Sequence, residues 1–148
     1  MKILFICTAN VCRSALAEAI LKKKIEEEGL TDITVESAGA YDLKGRARDA
    51  TMAALAREAG YEMKGFSRYA ESALLTSADL IICMEHFQLV EIQKRLPYDH
   101  WNRLHRFNEL CFNEPSDLAD PTGDTDHMYR YAFNRIEAGC EQLMHQLS

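Results

Sequence analysis

Ile3-Leu4-Phe5-Ile6-Cys7-Thr8-Ala9-Asn10-Val11-Cys12-Arg13-Ser14 is the stretch on which the fold turns. Its first four residues are apolar without alternation, the pattern of a short strand buried on both faces. From Ser14 to Glu28 the pattern becomes helical: Ala17, Leu21 and Ile25 recur every fourth residue, flanked by Leu16 and Ile20. Lys22, Lys23 and Lys24 each stand four residues before Glu26, Glu27 and Glu28, so they read as a solvated, paired helix face, and Gly29 is a natural stop. Between strand and helix lies a loop that can turn successive backbone N–H groups inward, a nest for an anion at a positive helix end. Five residues separate Cys7 from Arg13. That spacing lets the chain circle a phosphate-sized group, with sulfur beneath it and a planar guanidinium holding two of its oxygens.

Strand and helix continue to alternate onward. Ile33 to Ser37 reads as a second strand, and Asp49 to Ala59 as an Ala-rich helix closed by Gly60. Leu80 to Met84 reads as another buried strand, followed by a helix from Glu85 to Arg95 that ends before Pro97. A last strand is expected within Trp101 to Phe107. Residues 108 to 124, with Pro115, Pro121 and Gly123, read as loop. Asp124 or Thr125 then caps a helix whose Tyr129, Phe133, Ile136, Cys140, Leu143 and Leu147 form one apolar stripe. This order implies an α/β fold, a parallel sheet covered on both faces, with ligands at the carboxyl ends of the strands. Cys7 stands at such an end.

A chain of 148 residues, 47% hydrophobic and 27% charged, suits one globular domain spanning residues 1–148. Its formal net charge of −6 disfavours nucleic acid or an acidic membrane as partner. Phosphate must therefore be attracted locally, by arginines and backbone amides. No segment approaches the roughly 20 apolar residues of a membrane helix. Five cysteines, at 7, 12, 83, 111 and 140, show no disulfide framework and read as free thiols of a cytoplasmic protein. The histidines at 86, 100, 105, 127 and 145 show no ligand spacing, so no metal and no cofactor is expected. His86, at a helix start near the expected site, is the one to inspect.

A nucleophilic cysteine acts as thiolate, which a helix N-terminus and an adjacent cation favour. Both are supplied here. Ser14 can donate its hydroxyl to that thiolate, and Asn10 can bond within the loop and tolerate unusual backbone angles. A buried strand-end cysteine is more often plain packing. Arg13, Asn10 and the strand-loop-helix setting argue for chemistry.

With Cys-x5-Arg-Ser at residues 7 to 14, Ala17-Glu18-Ala19, Ser37-Ala38-Gly39, Cys83-Met84 and a late Asp120-Pro121, the sequence resembles the low-molecular-weight protein tyrosine phosphatases. The resemblance spans nearly the whole chain in order. It implies a three-layer fold, a four-stranded parallel sheet flanked by helices, with an N-terminal phosphate-binding loop. It implies Cys7 as nucleophile, Arg13 as phosphate clamp, and Thr8, Ala9, Asn10, Val11, Cys12 and Ser14 lining the phosphate site. The loop Leu118-Ala119-Asp120-Pro121-Thr122-Gly123 resembles the acid loop of that family. Asp117, Asp124 and Asp126 lie close by, and the proline and the resemblance select Asp120 as general acid and base. A second cysteine in the loop has two readings from spacing alone, packing or capture of an oxidised nucleophile. The resemblance favours capture, making Cys12 the redox partner of Cys7.

Several positions depart from the family. Thr122 and Gly123 replace the two tyrosines frequent after Asp-Pro. Tyr41 could supply a stacking wall from the opposite side, or be a plain surface aromatic. The family's His-x-x-Arg segment reads Gly65-Phe66-Ser67-Arg68, and Glu85 stands where Asp is usual. Thr8-Ala9 replaces Leu-Gly; Thr8 occurs in relatives that dephosphorylate phosphoarginine, whereas the apolar Val11 suits an aromatic ring. The expected activity is hydrolysis of phosphotyrosine in a protein substrate by a monomer or weak homodimer. A protein arginine phosphatase is the alternative. A thioredoxin-coupled arsenate reductase fits less well, because no cysteine follows Cys83 until Cys111 to carry the relay. A non-catalytic phosphopeptide-binding module does not explain the joint presence of Cys7, Arg13 and Asp120.

Overall fold

The computed structural model describes residues 1–147. Four strands form one parallel sheet: β1 Lys2–Cys7, β2 Thr34–Gly39, β3 Leu80–Cys83 and β4 Leu104–Arg106, in the order β2-β1-β3-β4. Six α-helices accompany them: α1 Arg13–Glu27, α2 Ala50–Glu58, α3 Ser72–Ser77, α4 His86–Gln93, α5 Phe107–Phe112 and α6 Asp126–Leu147. A 3₁₀ helix spans Tyr98–Arg103.

The unbroken apolar run of β1 has the reason expected of it. Ile3 and Phe5 join one core with Leu16 and Ile20 of α1, Phe107 of α5 and Ile136 of α6. Leu4 and Ile6 join the opposite core with Leu75 of α3 and Ile92 of α4. All four strand residues are fully buried. From β1 the chain passes to β2 on one side and later returns to β3 on the other. The order reverses between β1 and β3, and in open α/β sheets ligands bind at the carboxyl ends of the strands flanking such a reversal. No helix among the described residues is long and apolar enough to cross a membrane.

Helix ends follow local chemistry. Gly29 and Gly60 take φ of 70° and 88°, the left-handed turns that stop α1 and α2. Asp49 caps α2 by accepting the Met52 N–H at 2.9 Å. Glu85 and Gln88 form a capping box at the start of α4. Of the two candidate caps for α6, Thr125 holds the position: its Oγ1 accepts from Met128 N–H and its carbonyl from Tyr129 N–H.

The strand expected within 101–107 is present and spans Leu104–Arg106; Trp101 precedes it in the 3₁₀ helix, its indole donating to the carbonyls of Gln93 and Leu96. The structure corrects the sequence reading in two places. Within 108–124, expected as loop, Phe107–Phe112 forms α5. At six residues it is too short to display a period, and it is held by burying Phe107 and Cys111 against α6. The three lysines do not pair forward. Lys22 turns back to Glu18, Lys23 caps the Gly60 carbonyl at 2.6 Å, and Lys24 reaches Glu141 of α6 at 2.7 Å.

Gly139 shows how closely α6 is packed. A Cβ there would lie 2.2 Å from Cζ of the buried Phe107 ring. Gly to Ala inside a helix ordinarily adds about 1 kcal/mol, but overpacking costs about 1–3 kcal/mol, and a contact this short belongs at the upper end. Gly139→Ala is therefore expected to lower Tm by about 3–8 °C in a calorimetric scan; an unchanged or raised Tm would show that the ring moves aside freely.

Candidate active site

Cys7 ends β1 opposite Gly39 of β2. The following loop lies directly on the β2 end: Ala40 N–H donates to the Cys7 carbonyl at 2.9 Å and Tyr41 N–H to the Thr8 carbonyl at 3.0 Å. A Cβ on Gly39 would stand 2.9 Å from the Ala9 carbonyl carbon, 3.0 Å from Tyr41 O and 3.1 Å from Thr8 O. All three are backbone atoms, so only glycine lets the loop approach. α1 starts at Arg13 with no side-chain cap from Cys12 and no acidic residue in its first turn, which leaves its positive end facing the loop.

The sulfur of Cys7 is 2.9 Å from Ser14 Oγ and accepts the Asn10 N–H at 3.3 Å. Asn10 adopts the left-handed conformation, φ 59°, and is fully buried. Its Nδ2 donates to Ser14 Oγ at 2.9 Å and to Ser37 Oγ at 2.8 Å. The Ser37 hydroxyl donates to a Glu18 carboxylate oxygen at 2.5 Å, so the loop is tied to both β2 and α1.

Arg13 is 1% exposed. Its NH1 donates to the Leu118 carbonyl at 2.6 Å and lies 3.1 Å from a carboxylate oxygen of Glu85, while its NH2 is 3.8 Å from Asp120 Oδ2. Asp120 sits exposed at the mouth, with Thr122 N–H donating to its other oxygen at 3.0 Å. The neighbouring carboxylates have other engagements. Asp117 accepts from Arg106 and from His86 N–H, each at 2.9 Å. Burial acts to raise the Asp117 carboxyl, but the Arg106 and His86 hydrogen bonds outweigh it and hold it below the usual range. Asp124 accepts from Thr125 N–H at the start of α6. Asp126 lies in the first turn of that helix. Of the four, Asp120 is the one the structure places beside Arg13.

Val11 is partly buried against the α1-side core, and its carbonyl accepts the Asp49 N–H at 2.8 Å. Thr8 and Ala9 are half-buried. Tyr41 is 46% exposed at the rim, tied to the loop through its backbone. Cys12 is buried; burial pushes its thiol upward, Asp49, Cys7 and Asp120 add to this, and Arg13 opposes it. His86 is exposed and meets the site only through the hydrogen bond to Asp117. All five cysteines are free thiols. Cys83 is fully buried beneath the β3 end, its thiol raised by burial, and burial raises Cys111 to about 12, so neither has the exposed thiolate an electron relay requires.

Four contributors were not apparent as site residues in the sequence. Gln88 is fully buried, accepts Met84 and Glu85 N–H at 3.0 Å each, and donates to Thr8 Oγ1 at 3.0 Å. Ser37 and Glu18 were read only as parts of short motifs. Arg48 reaches the loop from 38 residues away in a charged segment with surface composition.

A parallel sheet that ends its first strand in such a loop, with sulfur, a helix terminus and a fixed guanidinium around one point, is an α/β protein organised to enclose an oxyanion. Comparison with known proteins gives it a family. Residues 2–148 match the profile of the low molecular weight phosphotyrosine protein phosphatases. A protein-arginine-phosphatase of Bacillus subtilis is 32% identical over 99% of this chain and 97% of its own. The Escherichia coli low molecular weight protein-tyrosine-phosphatase Etp is 26% identical over 99% and 94%. The crystal structure of a protein tyrosine phosphatase from Entamoeba histolytica, with Hepes in its active site, superposes with a TM-score of 0.91 at 27% identity, covering 99% of this chain and 96% of that one. The chain belongs to the low molecular weight phosphotyrosine protein phosphatase family, an enzyme family of α/β fold.

The contact at Gly39 generates a prediction. Gly39→Ala must displace the Thr8–Ala9 backbone, and a displacement of that kind can lower catalytic efficiency on the order of 10²-fold. Steady-state turnover of an aryl phosphate, with circular dichroism to confirm folding, measures it; wild-type efficiency would show that the loop tolerates the shift.

Proposed function

We propose that the chain hydrolyses phosphotyrosine in protein substrates through a phosphocysteine intermediate. The observation that carries this reading is the convergence of Cys7 Sγ, Ser14 Oγ, the Asn10 N–H and the Arg13 guanidinium on one loop, with Asp120 beside Arg13 at its mouth. Arg13 and the loop amides hold the phosphoryl oxygens. Cys7 Sγ attacks phosphorus; the ester P–O bond breaks as Asp120 gives its proton to the leaving oxygen. Asp120, now a carboxylate, takes a proton from water. The water oxygen forms a bond to phosphorus, the P–S bond breaks, and orthophosphate leaves. The Ser14 hydroxyl donates to the departing thiolate. Glu85 and the Leu118 carbonyl both hold NH1 of the guanidinium, so the clamp is anchored before substrate arrives.

Protein substrates follow from the family. The aromatic phosphoester is supported by Val11, an apolar wall in the loop, and by Tyr41 at the rim. The free thiols support a cytoplasmic setting, in which the chain acts as a monomer or weak homodimer. A second reading, phosphoarginine, has its own observation. Thr8 is a hydroxyl in the loop held by the buried Gln88, and a protein-arginine-phosphatase is among the relatives.

Two measurements test these assignments. Asp120→Ala is expected to slow phosphotyrosine cleavage by roughly 10²–10⁴-fold, with a smaller loss on substrates whose leaving group needs no proton. Asp117→Ala and Asp124→Ala should lose less, and a larger loss at either would transfer the acid's role to that residue. Side-by-side turnover of phosphotyrosine, phosphoarginine and phosphoserine peptides should rank phosphotyrosine first and phosphoserine low. Val11→Thr should move the ratio toward phosphoarginine; a wild-type preference for phosphoarginine would assign the choice to Thr8.

A further inference from the structure

We propose that Arg48 is a positioning residue for the reaction, holding the phosphate loop in its anion-binding shape through Asn10. Asn10 is the residue of the loop with a left-handed backbone, φ 59°. Its side chain is the link from the loop to Ser14 and Ser37. Its own N–H points at the Cys7 sulfur. What remains are its two oxygens, and Arg48 takes both. NH1 donates to the Asn10 carbonyl and, at 3.1 Å, to Asn10 Oδ1. Arg68 N–H completes Oδ1 at 3.0 Å.

One donor group bonded to the carbonyl and the side-chain oxygen of the same residue fixes the torsions between them. The plane of the Asn10–Val11 peptide and the orientation of the amide group are thereby set together. Rotating Asn10 out of the left-handed region would break both bonds and turn its N–H away from the sulfur. Arg48 is itself held. Its Nε donates to the Lys64 carbonyl at 3.0 Å, and it lies against Gly65, whose Cβ position would be 3.9 Å from NH2. At Gly65, φ is 77°, so the chain turns around the guanidinium at a residue without a side chain. Asp49, the next residue, bonds the Val11 carbonyl, so consecutive residues of one segment grip consecutive carbonyls of the loop. Half-buried, Arg48 also brings a positive charge toward Cys7. Burial works against that charge, while Glu18 and Cys7 favour it and Arg68 opposes it.

The inference rests on the Cys7–Arg13 loop being the phosphate site. Loss of turnover in Cys7→Ser, with phosphate binding kept, establishes that separately. The test of Arg48 is a double-mutant cycle with Asn10, read as kcat/KM on an aryl phosphate and as the inhibition constant of vanadate, well below each variant's Tm. Arg48→Met should lose about 10–100-fold in kcat/KM, the worth of hydrogen bonds from a charged donor, and weaken vanadate inhibition. Asn10→Ala should lose at least as much, and the double variant no more than Asn10→Ala alone. Arg48→Lys, which keeps the charge without the planar fork, should fall between Arg48→Met and wild type. Arg46→Met, which removes the same charge two residues away on the surface, should stay within about twofold of wild type, since surface substitutions are usually small in effect. Additive losses in the cycle, an Arg48→Met enzyme within twofold of wild type, or an equal loss in Arg46→Met would each overturn the proposal. If Arg48→Met does not fold, Arg48→Lys takes its place in the cycle and the same additivity decides.

Discussion

Asn10 is the constraint on which the site depends. A chain that circles a small anion must bend tightly enough to aim several amides inward, and here the bend passes through a left-handed asparagine. Such a backbone is held against its own preference only by the contacts around it. Asn10 has them from four directions: Cys7, Ser14, Ser37 and the 48–68 segment. β1, β2, α1 and the loop after Gly65 are each tied to it directly. The fold supplies rigid elements, and this residue converts their rigidity into a fixed cradle.

The charge of the molecule makes that cradle necessary. A chain with a net charge of −6 gains nothing from its overall field when an oxyanion approaches. Attraction is concentrated instead at one buried point, where the end of α1 and two arginines act at short range in a poorly screened setting. Arg13 is almost wholly removed from water, a costly placement for a cation, and Glu85 and the Leu118 carbonyl offset it. Cys7 is likewise buried, at 3% exposure.

What the sequence disclosed was what is local. The run Ile3–Ile6, the spacing of Cys7 and Arg13, the period of α1 and the stripe on α6 are each written in consecutive residues, and the structure keeps them. The elements it concealed are short or remote. α3 and α5 have six residues each, fewer than two turns, so no period could register. Gln88 bonds two backbone amides nearby in the chain, but its bond to Thr8 spans 80 residues, and nothing local marks it. Arg48 stands between Ala47 and Asp49 in a stretch that reads as solvent-facing, and only the tertiary fold carries it to Asn10. The lysines of α1 find other partners than the spacing implies for the same reason: Gly60 and Glu141 are nearer in space than the glutamates four residues along.

The segment bearing Asp120 is anchored on both sides. Leu118 N–H bonds the Met84 carbonyl at 3.0 Å, and Gly123 N–H bonds the hydroxyl of Tyr129 at 3.3 Å. That hydroxyl donates in turn to Asp49, the residue that also grips Val11. Asp120 therefore hangs on a short bridge between two piers, one standing on the sheet and the other on α6. Both ends of that bridge are tied down, so its carboxyl has little freedom to swing away from Arg13.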